Sequence, residues 1–372
     1  MGADEVKMRV PCAALDRMFA AHKEEYLQTA ARIMASGAYA MGPALASFEA
    51  AFAAYIGVNR CVGVACGLDS LWITLRLMGI GPGDEVIVQG NTFIATVMGI
   101  TVNGAVPVFA EPDDYYGLDP LQLEALITPR TKAVMVTHLY GMPAAMDRIS
   151  AFCAAHGLLL FEDCAQAHGA AFFGKKVGSF GKAGCFSFYP TKNLGGFGDG
   201  GCIVTDDESL ARQALAFRLY GSEKKYHHTV VGANSVLDTL QAGLLQVRLR
   251  YLDEMNAEKR RLAQNYFTGL HNPAILLPQV RPGAVPVWHQ FVVRCEKRDA
   301  LQAYLRGKGI DTIIHYPIPP HLSEAYRYLG IKPGSLPKTE KFAETVLSLP
   351  LFNCMTEAEQ QYVIETVNAF RS

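Results

Sequence analysis

The chain has 372 residues, 50 % of them hydrophobic and 19 % charged, with a formal net charge of −1. This composition excludes a mostly disordered protein, and the near-zero charge gives no global field to draw nucleic acid or an anionic membrane. Any anionic ligand must therefore be held by a local site. Nine cysteines without framework spacing read as reduced thiols. The polar start over Met1–Cys12 has no signal-type apolar core, and no apolar run reaches the ~18–20 residues that span a bilayer. The expectation is a soluble, cytoplasmic enzyme.

Along the chain, helical spacing over Ala13–Gly37 and Pro43–Tyr55 predicts two N-terminal helices. Strands and helices then alternate. Strands are predicted at Cys61–Val64, Glu85–Val88, Val106–Phe109, Ala133–Thr137, Leu158–Phe161, Gly184–Phe188 and Cys202–Thr205. Helices are predicted at Leu71–Met78, Asp147–His156 and Ser209–Arg218. The alternation predicts an α/β domain with a mainly parallel sheet, whose ligands sit at the carboxyl ends of strands. A long helical stretch over Asp238–Leu270 leads out of this domain. Beyond it, a strand (Val287–Val293), a helix (Arg298–Lys308), an isolated strand (Thr312–Tyr316) and a last helix (Glu357–Phe370) read as a smaller α+β domain. The division expected is 1–245 and 246–372.

Two segments carry the chemistry. Phe186-Ser187-Phe188-Tyr189-Pro190-Thr191-Lys192 sets one lysine in an aromatic stretch that breaks into glycines. A lysine kept from bulk water favours its neutral, nucleophilic form and can form a Schiff base. Upstream, Asp163 ends an apolar strand and is followed by Gln166 and His168. A carboxylate there can hold a pyridine nitrogen protonated and make the ring an electron sink. The pair predicts pyridoxal-phosphate chemistry and amino transfer. Ala65-Cys66-Gly67-Leu68-Asp69-Ser70 lies at a strand-to-helix turn, where free backbone N–H groups bind phosphate. Ser187 can add a hydroxyl, and Phe93, just past a strand, can stack on a ring. The loop from Tyr220 to His228 holds Lys224 and Lys225, suited to an anionic substrate such as a diphosphate. His227 and His228 lack further ligands at metal spacing, so no metal site is read.

These residues resemble the DegT/StrS family of sugar aminotransferases over nearly the whole chain. The resemblance is carried by Gly81–Ile87, Asn91–Thr96, Thr137–Gly141, Glu162–Ala170 and Phe186–Gly201. It implies the aspartate-aminotransferase-like fold (pyridoxal-phosphate fold type I), with a mainly parallel seven-stranded sheet, helices on its faces and a smaller C-terminal α+β domain. It implies that Lys192 binds the cofactor covalently, that Asp163 meets the pyridine nitrogen, that Phe93 stacks on the ring and that Gln166 contacts the ring hydroxyl. Gly67, Leu68 and Ser187 would hold the phosphate, joined by Asn234 from a second subunit of a homodimer. Pyridoxamine 5'-phosphate would be the aminated form of the cofactor. The stretches Gly67–Asp69 and His315–His321 are most similar to enzymes acting on dTDP-3-keto-6-deoxyhexoses with L-glutamate as donor. In that subgroup Tyr189, His315 and Tyr316, with Lys225 of the second subunit, surround the nucleotide sugar. The chain departs from the family at Thr191, where Gly is common, at Cys66-Gly67-Leu68, where many members have Ser-Gly-Thr, and at Val236, where the family has arginine. Alternatives are amino transfer to a 4-keto sugar nucleotide or a keto-cyclitol, and a non-catalytic cofactor-binding regulator. A dehydratase of the same family would carry His in place of Lys192.

Overall fold

The structure is a computed structural model and describes residues 9–371. Most of the polar start and Ser372 lie outside the described residues. Seven strands form the central sheet: β1 (Arg60–Val64), β2 (Glu85–Gln89), β3 (Val106–Ala110), β4 (Thr131–Thr137), β5 (Leu159–Asp163), β6 (Ala183–Ser187) and β7 (Gly201–Thr205). Their order across the sheet is β1-β7-β6-β5-β4-β2-β3. The pairs β2–β3, β2–β4, β4–β5 and β5–β6 are parallel, whereas β7 runs antiparallel to both neighbours. Parallel strands are covered on both faces and read as continuous apolar runs, as the fully buried β2 does.

Side chains alternate between the two layers, as the strand period of two requires. Val86, Val88, Ala133, Met135 and Cys185 pack against the helices Gly67–Leu77, Ile94–Thr101 and Glu208–Phe217. On the other face, Ile87, Val134 and Val136 meet Met146, Ile149 and Cys153 of the helix Met146–His156. Phe186 and Phe188 meet Phe48 and Phe52 of the helix Pro43–Ile56. That helix begins with Pro43 in its first turn and stops at Gly57, whose φ of 86° is left-handed. A further apolar cluster joins Leu262 and Tyr266 to Phe291, Val293, Leu301, Leu347, Val363 and Val367. It surrounds an antiparallel ladder of β8 (Phe291–Arg294) and β9 (Val346–Leu349).

Four sequence expectations need correction. The N-terminal helix is two helices, Leu15–Ala21 and Lys23–Ser36, with His22 non-helical between them. The stretch 238–270 is likewise two helices, Thr239–Leu249 and Leu252–Gly269, broken at Arg250 and Tyr251. The breaks meet in space: the rings of His22 and Tyr251 stack with centroids 3.8 Å apart, and the Tyr251 hydroxyl donates to Glu25. The strand expected from Val287 begins only at Phe291, because Trp288 has a left-handed φ of 46°. Thr312–Tyr316 contributes one isolated bridge, Ile313 to Ser348, before the prolines at 317, 319 and 320 end its pairing.

Candidate active site

Asp163 closes β5 and Ser187 closes β6, the neighbouring parallel strand, so both emerge at the same carboxyl edge. Asp163 is buried. Its Oδ2 accepts from Thr96 Oγ1 at 2.6 Å and its Oδ1 from the Ala165 N–H at 3.1 Å. The Thr96 oxygen lies 2.7 Å from Thr92 Oγ1, which lies 2.9 Å from Thr137 Oγ1. A hydroxyl has one hydrogen, and Thr96 spends it on Asp163. The chain must therefore run Thr137 to Thr92 to Thr96 to carboxylate, an arrangement that favours an ionised, acceptor-only Asp163. Burial raises the Asp163 pKa above its ordinary value, and Thr96, the Ala165 N–H and the Lys192 charge offset part of the rise.

Lys192 follows in the turn after β6, with its N–H donating to Tyr189 O at 2.9 Å. It is half-buried, and packed protein around the amine lowers its pKa to about 8, against the opposing pull of Asp163. With that pKa about one-fifth of the amine is neutral at pH ~7.4, against roughly a thousandth of an ordinary lysine.

The phosphate cradle is built from two strand ends. The helix Gly67–Leu77 starts directly after β1, with Cys66 Sγ accepting from the Asp69 N–H at 3.4 Å. A side chain on Gly67 would place its Cβ 2.5 Å from Ser187 Cβ and 3.0 Å from Ser187 Oγ. Only glycine lets the helix N-terminus and the Ser187 hydroxyl share one concavity. Ser235 locks the turn, accepting from the Ala65 N–H at 3.1 Å and donating to Asp69 Oδ2 at 2.6 Å.

Phe93, at the start of the helix Ile94–Thr101, is 46 % exposed, with its ring centroid 5.1 Å from that of Tyr316. An open aromatic face beside Asp163's support helix suits stacking on a flat ligand. Gln166 is buried; its Oε1 accepts from the Tyr140 N–H at 2.6 Å and its Nε2 donates to Tyr316 Oη at 3.0 Å. One of its amide hydrogens remains for a ligand. Tyr140, which the sequence reading did not single out, holds a left-handed φ of 59° and donates its hydroxyl to the His315 carbonyl. His315 Nδ1 lies 2.8 Å from Ser348 Oγ, and burial with the charge of Lys192 takes its pKa down to about 4. Tyr189 stands open to solvent near Lys192 in the same turn.

Lys225 and Asn234 make their described contacts away from Lys192, although Ser235, next to Asn234, reaches the phosphate turn. Both are exposed; Lys225 sits over the Tyr226 ring and Asn234 bridges to Leu219. Thr92, Thr96, Tyr140, Asn193 and His289 were missed as site residues, although all but His289 lie inside the motif stretches. Among the described residues, His138, Glu162 and Cys164 group closely enough to suggest a metal. Glu162 is already saturated by His138 Nε2 and the N–H groups of Gly178, Phe180 and Gly181. Burial holds the Cys164 thiol well above its ordinary pKa, so the trio is a structural knot. No helix among the described residues is long and apolar enough to cross a membrane.

A phosphate cradle that a Cβ would fill, a buried carboxylate fed by donors and a low-pKa lysine on adjacent strand ends fit pyridoxal phosphate. Fold and site together define a pyridoxal-phosphate-dependent aminotransferase. Residues 20–368 match the DegT/DnrJ/EryC1/StrS aminotransferase family, and the chain belongs to that family. It is 47 % identical over 361 residues to the dTDP-3-amino-3,4,6-trideoxy-alpha-D-glucose transaminase of Streptomyces venezuelae, covering 96 % of this chain and 95 % of that one. It is 46 % identical to the dTDP-3-amino-3,6-dideoxy-alpha-D-galactopyranose transaminase of Aneurinibacillus thermoaerophilus, covering 97 % and 99 %. Among solved structures, the crystal structure of S. venezuelae DesV in complex with a ketimine intermediate superposes with a TM-score of 0.95 at 46 % identity, covering 97 % of this chain and 98 % of that one. The chain is a nucleotide-sugar transaminase.

Proposed function

We propose that the protein moves the amino group of L-glutamate to the 3-keto carbon of a dTDP-3-keto-6-deoxyhexose, giving a dTDP-3-amino-3,6-dideoxyhexose. The observation that carries the reading is the Lys192 amine, with a pKa lowered to about 8, following the strand next to the one that ends in Asp163. The printed activities of the two relatives, both on dTDP-3-amino sugars, support the substrate.

Pyridoxal phosphate, when bound, supplies an electron sink for the carbon that loses its proton. The N–H groups of Gly67 and Leu68 and the Ser187 hydroxyl hold the phosphate, completed by Asn234 of a second copy. The ionised Asp163 keeps the ring nitrogen protonated. Phe93 would offer its open face to the ring, and the spare Gln166 hydrogen would serve the ring hydroxyl. Lys192 would be both covalent anchor and general base. Its neutral amine would take the proton from the amino-acid carbon and later give one to C3 of the sugar. Tyr189, His315 and Tyr316, with Lys225 of the second copy, bind the nucleotide sugar. A homodimer therefore completes each site. The reading divides the chain into a cofactor domain, 1–245, and a smaller domain, 246–372, supported by the separate apolar cluster around β8 and β9.

The test supplies L-glutamate alone and follows the cofactor absorbance. Wild-type protein should convert stoichiometrically to the amino form and release 2-oxoglutarate. No conversion, or undiminished conversion by Lys192→Ala, sinks the reading and favours a regulator.

A further inference from the structure

Beneath Lys192 lies a buried polar cluster that the proposed function does not use. Asn193, the next residue, is 3 % exposed. Its Nδ2 donates to Val287 O at 2.9 Å and to Asn256 Oδ1 at 2.8 Å. A carbonyl only accepts, so the contact with Val287 fixes which end of the carboxamide is nitrogen. Oδ1 then faces His289 Nδ1 at 3.2 Å. An amide oxygen also only accepts, so Nδ1 must carry the hydrogen and Nε2 a lone pair. Asn256 is oriented in turn, with its Nδ2 donating to His168 O at 2.8 Å.

The segment that grips Asn193 is itself strained. Trp288, between Val287 and His289, has its left-handed φ of 46°, a sparsely populated conformation for a bulky residue. Consecutive residues of a regular strand point to opposite faces. Here the turn lets the Val287 carbonyl and the His289 ring reach the same side chain. The Val287 N–H is held by Gly141 O at 3.0 Å. Among the described residues, the charged and titratable groups that act most on His289 are Lys192, Lys259, His315 and His168. Burial and these cations hold it far below its ordinary pKa. Beside Lys192, burial likewise takes His168 down to about 3 and His315 to about 4, and among the described residues Asp163 is the acid that acts on the amine.

We propose that Asn193 and His289 are positioning residues for Lys192: the Asn193 carboxamide ties the lysine's loop to the segment before β8 and fixes His289 as the Nδ1–H tautomer, whose N–H completes the tie. The inference rests on Lys192 being the reactive amine. The tie keeps the loop closed against water, and water exclusion is what lowers the basicity of Lys192.

The test measures the Lys192 titration in the apoprotein by trace acetic-anhydride labelling and mass spectrometry. Wild type should titrate near its lowered value, and Asn193→Ala about one pH unit or more higher, towards an ordinary lysine. His289→Ala should shift in the same direction. His289→Asn, which keeps an N–H donor where Nδ1 stands, should titrate as wild type. In the holoenzyme, Asn193→Ala should lower kcat with the sugar KM changed less than about twofold. Wild-type titration in both alanine variants, or an equal shift in His289→Asn and His289→Ala, overturns the proposal. Should the alanine variants not fold, nitrogen-15 NMR of the wild type decides, since an Nε2–H tautomer or imidazolium at His289 near pH 7 overturns it as well. Borohydride reduction of the wild-type holoenzyme with peptide mapping separates the two readings. Cofactor on a residue other than Lys192 defeats the function, whereas cofactor on Lys192 with unshifted alanine variants defeats this inference alone.

Discussion

Thr96 donates its only hydroxyl hydrogen to Asp163 Oδ2 at 2.6 Å, and that bond sets the direction of the whole threonine chain behind the carboxylate. The consequence is electrostatic. Burial opposes the Asp163 charge, and the Thr96 hydrogen bond does most to favour it. Thr96→Val should move the acid limb of kcat/KM to higher pH and lower kcat/KM below neutrality about tenfold, the scale of one hydrogen bond to a charged group. Thr96→Ser should restore the profile. A pH–rate series on the three proteins checks this.

Lys192 gives a stability signature independent of turnover. Its pKa falls from 10.5 to about 8 on folding. Between those values the unfolded chain binds more protons than the folded one, so apoprotein stability rises with pH through the window and is lowest below it. Lys192→Met has no such slope. Its apoprotein should exceed wild type by on the order of 2 kcal/mol at pH 7, allowing for water's access to a half-buried amine, with the gain vanishing near pH 10.5. Urea unfolding at several pH values measures both.

Gly67 admits no side chain, because the added Cβ would meet Ser187 Cβ at 2.5 Å and its Cα at 3.1 Å. Gly67→Ala should weaken cofactor binding at least about tenfold, or ~1.4 kcal/mol. Fluorescence titration of the apoprotein with cofactor, beside a circular-dichroism check of the fold, reads the effect.

Lys225 and Asn234 are exposed, and the proposed function assigns each to the site of a second copy. Lys192→Ala and Asn234→Ala should each be inactive or nearly so. Equal mixing after subunit exchange should recover about a quarter of wild-type activity, since half the dimers then hold one intact site of two. Absence of recovery in a proven mixed dimer would place Asn234 outside the shared site.

Much of the fold was legible because parallel strands buried on both faces leave continuous apolar runs, as Val86–Val88 and Val134–Val136 do. Lys192 and Asp163 stood out because titratable groups are costly where strands end in apolar surroundings. Pairings across distant segments were not legible. Nothing local marks Thr96 as the support of Asp163, or Asn193 as the partner of His289. Val287–Val293 read as one strand because its residues favour extended backbone, yet gripping Asn193 requires the left-handed Trp288. The helix breaks at His22 and Tyr251 show only once the two rings stack. Gln166 was read for one ligand contact, and two of its hydrogen bonds prove to be structural.

The most direct measurement offers the holoenzyme L-glutamate with a dTDP-3-keto-6-deoxyhexose and, separately, a dTDP-4-keto-6-deoxyhexose, and locates new nitrogen in the product by NMR. The account predicts an amine on C3 from the first substrate and none from the second. An amine on C4, or no aminated sugar from either, would contradict it.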